Sequence, residues 1–457
     1  MRTEALPPAM LARLEALGAE LVEVAREHRD ASLATLERAV LEKVRAAQGG
    51  LLAAVLERST TSLAPTQQRV RLGCPGCGER TEARDWRGRQ VRTVCGQIRF
   101  ERPWYVCGGC GHGWSQADAT LELAPQARLS VGLQGWVGQV GAETAFRRAA
   151  ELLRELTGQA VSRESVRQRA ERQGAVLAEA QEAAGARVLA TREAAEPLDP
   201  APGALVVETD GAQVRYLDGW HEVKLGLVAG CVRGELVAPS YVAARASAEA
   251  FGPRLLAEAA RRRVLEIVGW RGGLRGRALG IPRAVTILGD GAPWIWNLAA
   301  EHFGQRVEIV DSYHACEHLR AAARALFEDA AAVRGWAEAR IGELYQRGAG
   351  PVRAALRAAR APGPEAAGAL RKERGYFRTN AARMAYPTFR AGGLPIGSGA
   401  VESAAKHLVR QRMKRAGMRW SDAGGRGMLA LLAHRAGGRS LPALVFQPRS
   451  VARQRAA

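Results

Sequence analysis

The sequence predicts a multidomain α/β protein. Three observations lead to this prediction: a length of 457 residues, a cysteine-rich segment lying between two helical regions, and a change from helical to strand patterning near residue 204. At the usual size of roughly 100–200 residues per domain, this length corresponds to about three domains. The composition, 47% apolar and 25% charged residues, is typical of a globular chain and excludes wholesale disorder.

The charge of the chain indicates the class of its partner. Lys and Arg number 66 against 46 Asp and Glu, which gives a net charge of +20, and 61 of the 66 cations are Arg. This balance favours a polyanion such as nucleic acid as the partner. Because no apolar run approaches the roughly 18 residues of a membrane span, and residues 1–10 lack the apolar stretch of a signal peptide, we expect a cytoplasmic protein. The absence of any Gly-Lys dipeptide excludes a Walker A phosphate loop.

Composition shifts divide the chain into segments. Pro197, Pro200, Pro202 and Gly203 interrupt a polar stretch, which is typical of a linker. The predicted segments are an N-terminal helical region (1–65), a cysteine-rich ribbon (66–118), a second helical region (119–185), the linker (186–204), the first part of an α/β core (205–319), an α-helical insertion (320–393), the last part of the core (394–435) and a basic C-terminal tail (436–457).

Two C-x-x-C pairs lie in the cysteine-rich ribbon: Cys74 with Cys77, and Cys107 with Cys110. Each pair can direct two thiolates at one ion, and four thiolates complete the tetrahedral shell of a structural Zn²⁺. The 29 residues between the pairs are more than usual, but a long hairpin, such as one over 88–106, would accommodate them. The sequence therefore predicts one structural zinc ion bound in a zinc ribbon.

The second helical region contains a candidate helix-turn-helix. One amphipathic helix ends at Thr157-Gly158, and Ser162 is a plausible N-cap for a second helix over 163–172. A short glycine-containing turn between two helices is how a helix-turn-helix is built, although an ordinary helical hairpin fits the pattern equally well. If the motif binds DNA, Arg163 and Arg167 are its candidate contacts.

Carboxylates follow the hydrophobic strands of the α/β core. Asp210 ends a strand within 205–211, Asp290 ends another within 284–291, and Glu402 lies in the first turn of a late helix. An acid after a strand is usually a loop or cap residue. The order of elements, however, is that of a ribonuclease-H-like sheet, which would bring these three carboxylates together. Such a triad can hold two divalent ions about 4 Å apart, either Mg²⁺ or Mn²⁺.

Asp311 competes with Asp290 for the middle position of this triad. We prefer Asp290 because it ends the fourth strand, whereas Asp311 ends the fifth. His314 and His318 follow Asp311, and the segment 314–318 also matches the H-x-x-E-H pattern of one zinc-peptidase class. That pattern is short, and a peptidase is an unexpected identity for a chain of charge +20. We therefore interpret the histidines as packing or hydrogen-bonding groups at a helix start.

Four segments resemble bacterial DDE transposases of the ISKra4 type. They are ETDG (208–211), GDGAPWIW (289–296), DSYHACEHL (311–319) and LPIGSGAVESAAKHLVRQRMKRAGMRW (394–420). The cysteine pairs and the candidate helix-turn-helix also fit such proteins, so the resemblance covers about residues 70–435. It implies a ribonuclease-H-like catalytic domain with an α-helical insertion, the catalytic triad Asp210, Asp290 and Glu402, and an accessory motif formed by Asp311 and His314.

The resemblance also implies an activity. The expected enzyme binds the ends of its insertion sequence, cleaves DNA with water activated by two bound metal ions, and joins the freed 3′-hydroxyl to target DNA. The expected partners are DNA and further copies of the chain, with no membrane, so the protein would associate with the nucleoid when bound to DNA. Two alternatives remain: a ribonuclease-H-like nuclease without strand transfer, and a non-catalytic zinc-containing DNA-binding regulator.

The charge is concentrated after Glu402. Residues 403–457 contain twelve Lys or Arg against the single acid Asp422, and therefore carry +11 of the total of +20. A solvated basic face would also explain such a run, but its position beside the proposed metal site favours DNA contact. The candidate contacts here are Arg410, Arg412, Lys414 and Arg415.

Overall fold

The computed structural model describes residues 8–59, 71–194, 203–262 and 284–441. The described residues divide into two compact units, one ending at Ala170 and the other running from Glu171 to Leu441. The described residues confirm the predicted mixture of helices and strands. None of their helices is long and apolar enough to cross a membrane. The basic tail beyond residue 441 lies outside the described residues.

The first unit begins with two helices, α1 (Pro8–Glu27) and α2 (Leu33–Ser59). The C-terminal half of α2 packs on a β-hairpin, where Ala53 joins Val91, Ile98 and Phe100 in one buried cluster. The helical region expected over 1–65 is therefore an antiparallel pair of helices in its described part. It is attached to the ribbon by apolar burial, which stabilises the contact between the two.

The ribbon consists of short strands around one long hairpin. Its elements are β1 (Leu72–Gly73), β2 (Arg80–Thr81), β3 (Ala83–Thr93), β4 (Gly96–Val106), β5 (Gly113–Trp114) and the short helix α3 (Gln116–Thr120). Strands β3 and β4 pair antiparallel from Thr93 and Gly96 at the turn. Buried and exposed residues alternate along β4, as expected of a strand with one face on a core. The hairpin thus spans the interval between the two cysteine pairs.

Three helices complete the first unit: α4 (Val131–Glu143), α5 (Phe146–Thr157) and the start of α6 (Arg163–Thr191). Gly158 ends α5 in the left-handed conformation, and the Ser162 hydroxyl accepts a hydrogen bond from Ser165 N at 3.1 Å, so it caps α6. The expected end of the second helix at residue 172 is wrong, because α6 continues to Thr191. The linker therefore starts after 191 rather than at 186, and its residues 195–202 lie outside the described part.

The second unit is built on a mixed sheet in which five strands are described. They are β6 (Ala204–Tyr216), β7 (Gly219–Val232), β8 (Glu235–Ala244), β9 (Val285–Gly289) and β10 (Arg306–Val310). Their order across the sheet is β10-β9-β6-β7-β8. The first three strands of the unit pair antiparallel, while β9 and β10 run parallel to β6. The carboxyl ends of β9 and β10 therefore lie together, beside the middle of β6.

Helices cover the sheet and fill the sequence after β10. The second unit contains α7 (Ala248–Arg261), α8 (Pro293–His302), α9 (Ser312–Leu326), α10 (Ala330–Arg347), α11 (Ala349–Ala358), α12 (Pro364–Thr379), α13 (Tyr386–Ala391), α14 (Gly399–Ala404), α15 (Gln411–Met413) and α16 (Asp422–Ala436). A π-helical segment, Ala405–Arg410, joins α14 to α15. Pro293 occupies the first turn of α8, where a proline costs no hydrogen bond. One apolar core extends from the sheet into α10–α12, with Leu344, Leu370 and Phe377 as buried members.

Glycines allow α6 and α16 to approach closely. A Cβ added at Gly174 would overlap the carbonyl oxygen of Gly427, and one added at Gly427 would lie 2.6 Å from the carbonyl oxygen of Glu171. Both residues are interior to their helices, where glycine costs about 1 kcal/mol relative to alanine. The close packing of the two helix backbones therefore depends on small residues that are otherwise unfavourable.

This contact predicts that Gly174→Ala destabilises the protein by about 1–3 kcal/mol, because the methyl group forces the helices apart. Gly335→Ala is the matched control: Gly335 lies inside α10, and no atom of the described part of the chain comes within 4 Å of its added Cβ, so this change should be neutral or stabilising by up to about 1 kcal/mol. Thermal unfolding followed by circular dichroism compares the two. Equal melting temperatures for both variants would contradict the packing argument.

Candidate active site and cysteine cluster

The four cysteines of the ribbon converge. Cys74 Sγ lies 3.6 Å from Cys110 Sγ, and Cys77 Sγ lies 3.4 Å from Cys107 Sγ. All four sulfur atoms lie within 4.8 Å of one another, so the cluster can hold a metal ion such as zinc. The described Cys95 is not a member of the group, and neither is the nearby His112.

The two cysteine pairs lie on turns of the same form. The Gly78 amide donates to the Cys74 carbonyl at 2.9 Å, and the Gly111 amide donates to the Cys107 carbonyl at 3.0 Å. Both glycines have positive φ, 81° and 70°, which an L side chain rarely adopts. These turns direct both thiols of each pair toward the same point. Four sulfur ligands leave no open position on a tetrahedral ion, so a metal held here would be structural.

Asp210 lies on β6, and Asp290 directly follows β9, the neighbouring strand. In the parallel pairing of β6 with β9, Glu208 stands opposite Leu288, and the same register continued by two residues brings Asp210 opposite Asp290. Adjacent strands are about 4.8 Å apart, so the two side chains are neighbours. Burial and the nearby carboxylate of Asp290 raise the pKa of Asp210 to about 6, although its hydrogen bond from Gly211 N opposes this shift.

Glu402 reaches the same region from α14. Two buried carboxylates hold the start of that helix: Asp311 Oδ2 accepts hydrogen bonds from Ser398 N, at 3.1 Å, and from Ser398 Oγ. Glu208 Oε2 accepts a hydrogen bond from Val401 N at 2.9 Å. Carboxylates at a helix N-terminus are favourable because they accept hydrogen bonds from free N–H groups and interact with the positive end of the helix dipole.

His314 lies between two of these carboxylates. Its Nδ1 is 3.5 Å from Asp311 Oδ2 and 3.8 Å from Glu402 Oε1, which are ion-pair contacts longer than a good hydrogen bond. The Asp311 carboxylate raises the pKa of His314 to about 9, so the imidazole carries a positive charge at neutral pH. Burial alone would raise the pKa of Asp311, but contacts with His314 and Ser398 bring it below its usual range.

These residues form one acidic site in the second unit. Asp311, His314 and Glu402 each offer a ligand atom within 4.8 Å of the others, which makes them a candidate metal-binding group. Asp210 and Asp290 lie outside that compact group. Asp290, His314 and Glu402 nevertheless all act on the pKa of Asp210, which places all four near one another. The residue pattern alone indicated a packing or hydrogen-bonding role for His314, and the resemblance placed it with Asp311 in an accessory motif. Neither predicted its contact with Glu402.

Glu208 is a site residue that the sequence reasoning missed. It is fully buried, its Oε1 has no hydrogen-bond partner among the described residues, and burial raises its pKa to about 7. Its signal was available: Glu208 precedes Asp210 by two residues, and alternate residues of a strand share a face. An acidic residue at that position of an otherwise apolar strand therefore had to face the same region as Asp210.

The helical insertion also contacts this site. The Tyr376 hydroxyl of α12 donates to the carbonyl of Asp290 at 2.9 Å. The ring of His318 stacks on Tyr376 with 3.6 Å between centroids, and His318 Nδ1 is 2.5 Å from Glu373 Oε2. Gly291 has φ of +103° beside the Tyr376 ring, so a side chain at this position would be strained and crowded. The insertion thus fixes the loop that carries Asp290.

The predicted DNA-contacting residues differ in exposure. Arg410 and Arg415 are exposed and Lys414 is half-buried. Arg412 is only 1% exposed and packs over the Trp420 ring at 5.3 Å, so its prediction as a DNA contact is wrong for this conformation. Its guanidinium is enclosed in protein and does not face solvent, and burial lowers its pKa to about 10.

In the candidate helix-turn-helix, Arg163 is exposed, whereas Arg167 pairs with Glu164, with 2.9 Å between Nε and Oε2. The buried residues Leu133, Leu153 and Val166 join α4, α5 and the start of α6 in one apolar cluster. The two candidate DNA contacts therefore differ in their surroundings, because the Arg167 guanidinium is already paired with an acidic residue of its own helix.

The model of an uncharacterised protein family, UPF0236, matches residues 27–216. The matched range contains the four clustered cysteines, helices α4–α6 and Asp210, and it ends before Asp290, Asp311 and Glu402. A comparison with curated proteins found no significant match.

The cysteine cluster predicts that the purified protein contains about one zinc ion per chain. Cys107→Ser should remove most of this zinc and lower the melting temperature, because a ligand is lost from a closed four-sulfur shell. Cys95→Ser is the control, since the described cluster does not include Cys95. Elemental analysis of both variants measures the metal content. A Cys107→Ser protein with undiminished zinc would rule out this ligand set.

Proposed function

We propose that the chain is a DDE-type DNA transposase with a ribonuclease-H-like catalytic domain. The observation that carries this proposal is the proximity of Asp210, Asp290 and Glu402 beside the middle of β6 and the carboxyl end of β9, since Asp290 and Glu402 both raise the pKa of Asp210. The strand order β10-β9-β6-β7-β8, with β7 antiparallel and β9 and β10 parallel to β6, supports the ribonuclease-H-like assignment. The resemblance of four segments to ISKra4 transposases supports the activity, with DNA as substrate.

The donor set at the site suits hard divalent cations. Carboxylate oxygens from Asp210, Asp290 and Glu402 are ligands that Mg²⁺ or Mn²⁺ prefers. Crowding also favours a cation, because burial and neighbouring acids raise the pKa of Asp210 and of Glu402. When bound, two such ions would activate the attacking hydroxyl and stabilise the leaving oxygen of a phosphodiester.

The other residues of the site would position the triad. Asp311 and Glu208 hold the N-terminus of the helix that carries Glu402, and Tyr376 holds the loop that carries Asp290. His314 supplies a positive charge within the acidic cluster. In the proposed sequence of steps, water first cleaves the phosphodiester at each end of the element. The freed 3′-hydroxyl then attacks a target phosphodiester, in which a new ester bond replaces the broken one.

The first unit would recognise the ends of the element. We propose that its cysteine cluster holds a structural zinc ion and that α5 and α6 form a helix-turn-helix with Arg163 exposed toward DNA. Pairing two ends requires at least two copies of the chain, so a homo-oligomer is proposed. A cytoplasmic enzyme that associates with the nucleoid when bound to DNA follows from the same activity.

The triad predicts that Asp210→Asn, Asp290→Asn and Glu402→Gln each lower Mg²⁺-dependent DNA nicking by about 10³-fold or more, with DNA affinity nearly unchanged. Glu317→Gln is a matched control because Glu317 is an exposed carboxylate on α9, three residues after His314. A supercoiled plasmid carrying the flanking inverted repeats measures nicking and strand transfer together. Loss of activity in Asp311→Asn with retention in Asp290→Asn would show that the fifth strand, not the fourth, supplies the second aspartate.

The products of the same assay separate the alternatives. Joined products support a transposase, and nicking without joining supports a nuclease. Binding without nicking at any divalent concentration supports a DNA-binding regulator.

The basic residues that follow Glu402 should differ in how much each contributes to DNA binding. Lys406→Ala and Arg410→Ala should each weaken DNA binding and reduce the slope of log affinity against log salt by about 0.9, because each exposed cation would release counterions from one phosphate. Arg412→Ala should leave the slope unchanged and lower the melting temperature, because its side chain is buried. Fluorescence anisotropy across a salt series measures the slopes. An equal loss of slope in Arg412→Ala would show that Arg412 is exposed in the complex.

A further inference from the structure

The β6–β7 hairpin extends well beyond the acidic site. Strand β6 continues for six residues after Asp210, to Tyr216, and β7 returns from Gly219. At the tip, Leu217 is 70% exposed and Trp220 is 58% exposed. A large aromatic side chain with so much surface in water is unfavourable, and exposed apolar groups of this size mark interaction sites when they lie together.

The tip is held rigidly. Trp420 N donates to the Arg215 carbonyl at 3.2 Å, and Leu217 N donates to the Trp420 carbonyl at 2.9 Å. Tyr216 is buried beneath the tip, and the Arg245 guanidinium stacks on its ring at 4.4 Å. Trp220 therefore projects from a fixed platform and loses little conformational freedom on binding.

Positive charge surrounds Trp220. Lys414 Nζ lies 5.6 Å from the centroid of its ring, and Arg215 is its direct cross-strand partner. Arg419, which directly precedes the Trp420 that hydrogen-bonds to the tip, is exposed. In the described part of the chain, the side chains of Arg215 and Arg419 make no ion pair.

The nearby acids are already paired. Asp218 contacts both Arg245 and His221, at 3.2 and 3.0 Å, and Glu222 contacts Lys224 at 2.7 Å. The patch formed by Trp220, Leu217, Arg215, Lys414 and Arg419, here called the hairpin-tip patch, therefore presents an aromatic ring within uncompensated positive charge. This combination favours a polyanion that also carries flat apolar faces, which describes nucleic acid better than protein.

We propose that the hairpin-tip patch binds an unpaired segment of the DNA substrate, with Trp220 stacking on a base. The inference rests on the proposed function for the identity of the substrate as DNA. An aromatic ring can stack only on a base whose face is uncovered, and the faces of bases within a duplex are covered by their neighbours. The adjacent Leu217 suits the edge of such an opened base step.

The strand sets the distance between the patch and the acidic site. Arg215, which pairs with Trp220, is five residues beyond Asp210. At about 3.4 Å per residue this distance is roughly 17 Å, or about five nucleotides at a rise of about 3.4 Å. The unpaired base would therefore lie about five nucleotides from the bond that is cut.

The test compares two labelled DNAs in EDTA, so that cleavage plays no part: a fully paired duplex and the same duplex with an unpaired arm. The full-length protein should bind the armed DNA more tightly, and Trp220→Ala should weaken that binding roughly 5- to 150-fold, with less than about 2-fold change on the paired duplex. Trp220→Phe should retain most of the affinity, because phenylalanine can still stack. Trp136→Ala is the matched control, since Trp136 is also an exposed tryptophan, at 39%.

Each outcome decides the proposal. A selective loss in Trp220→Ala that Trp220→Phe restores supports it. Unchanged binding in Trp220→Ala, an equal loss on both DNAs, or the same loss in Trp136→Ala overturns it. The proposed function is tested apart from this: a chain that shows the selective loss but never nicks DNA in Mg²⁺ keeps the hairpin-tip patch and loses the transposase assignment. Conversely, if the protein nicks DNA normally but Trp220→Ala binds the armed DNA as tightly as wild type, the transposase assignment stands and the proposal for the hairpin-tip patch is overturned.

Discussion

The acidic site depends on two buried carboxylates that cap a helix belonging to a distant part of the sequence. Asp311 binds the Ser398 amide and hydroxyl, and Glu208 binds the Val401 amide. Ser398 occupies the N-cap position of α14, yet its hydroxyl accepts no backbone amide of that helix; it donates to Asp311 and lies 3.2 Å from Glu402 Oε1. The first turn of α14 is thus satisfied by the sheet, which fixes the position of Glu402 relative to the strands. If α14 were capped only by its own side chains, the cap would not fix the position of the helix relative to the strands.

This arrangement gathers negative charge where water is scarce, which is unfavourable on its own. Burial raises the pKa of Glu208, Asp210 and Glu402, and each carboxylate adds to the cost of ionising the others. Hydrogen bonds from backbone amides and the charge of His314 offset part of that cost. A bound cation would relieve the remaining repulsion, so the repulsion among these carboxylates would contribute to the affinity of the site for a metal ion.

Local sequence signals predicted the parts of the fold that depend on neighbouring residues. The strand end at Asp290 followed from a short apolar run, and the cap at Ser162 followed from residue type. The strand end expected at Asp210 was wrong, because β6 continues to Tyr216. The helix end expected at residue 172 was wrong: α6 continues to Thr191, and Gly174 within it contacts Gly427, which lies over 250 residues away. The burial of Arg412 could not be predicted from the sequence either. The π-helical segment Ala405–Arg410 shifts the angular position of the residues that follow it, so a period of 3.6 residues no longer identifies the exposed face of the helix.

The helical insertion shows why the sequence predicted the acidic site only in outline. Residues 320–393 read as an Ala- and Arg-rich helical stretch with no motif, yet Tyr376 from this stretch supports the Asp290 loop, and Glu373 binds His318 on α9. Neither contact has a sequence signature, because each joins residues more than 50 positions apart. Since Phe377 and Leu370 of the same helix are buried in the core and Tyr376 packs against it, the helix that fixes the loop is itself fixed by the core. A change that loosens the packing of α12 should therefore be felt at Asp290 before it is felt at Asp210, whose strand is held on both sides by hydrogen-bonded neighbours.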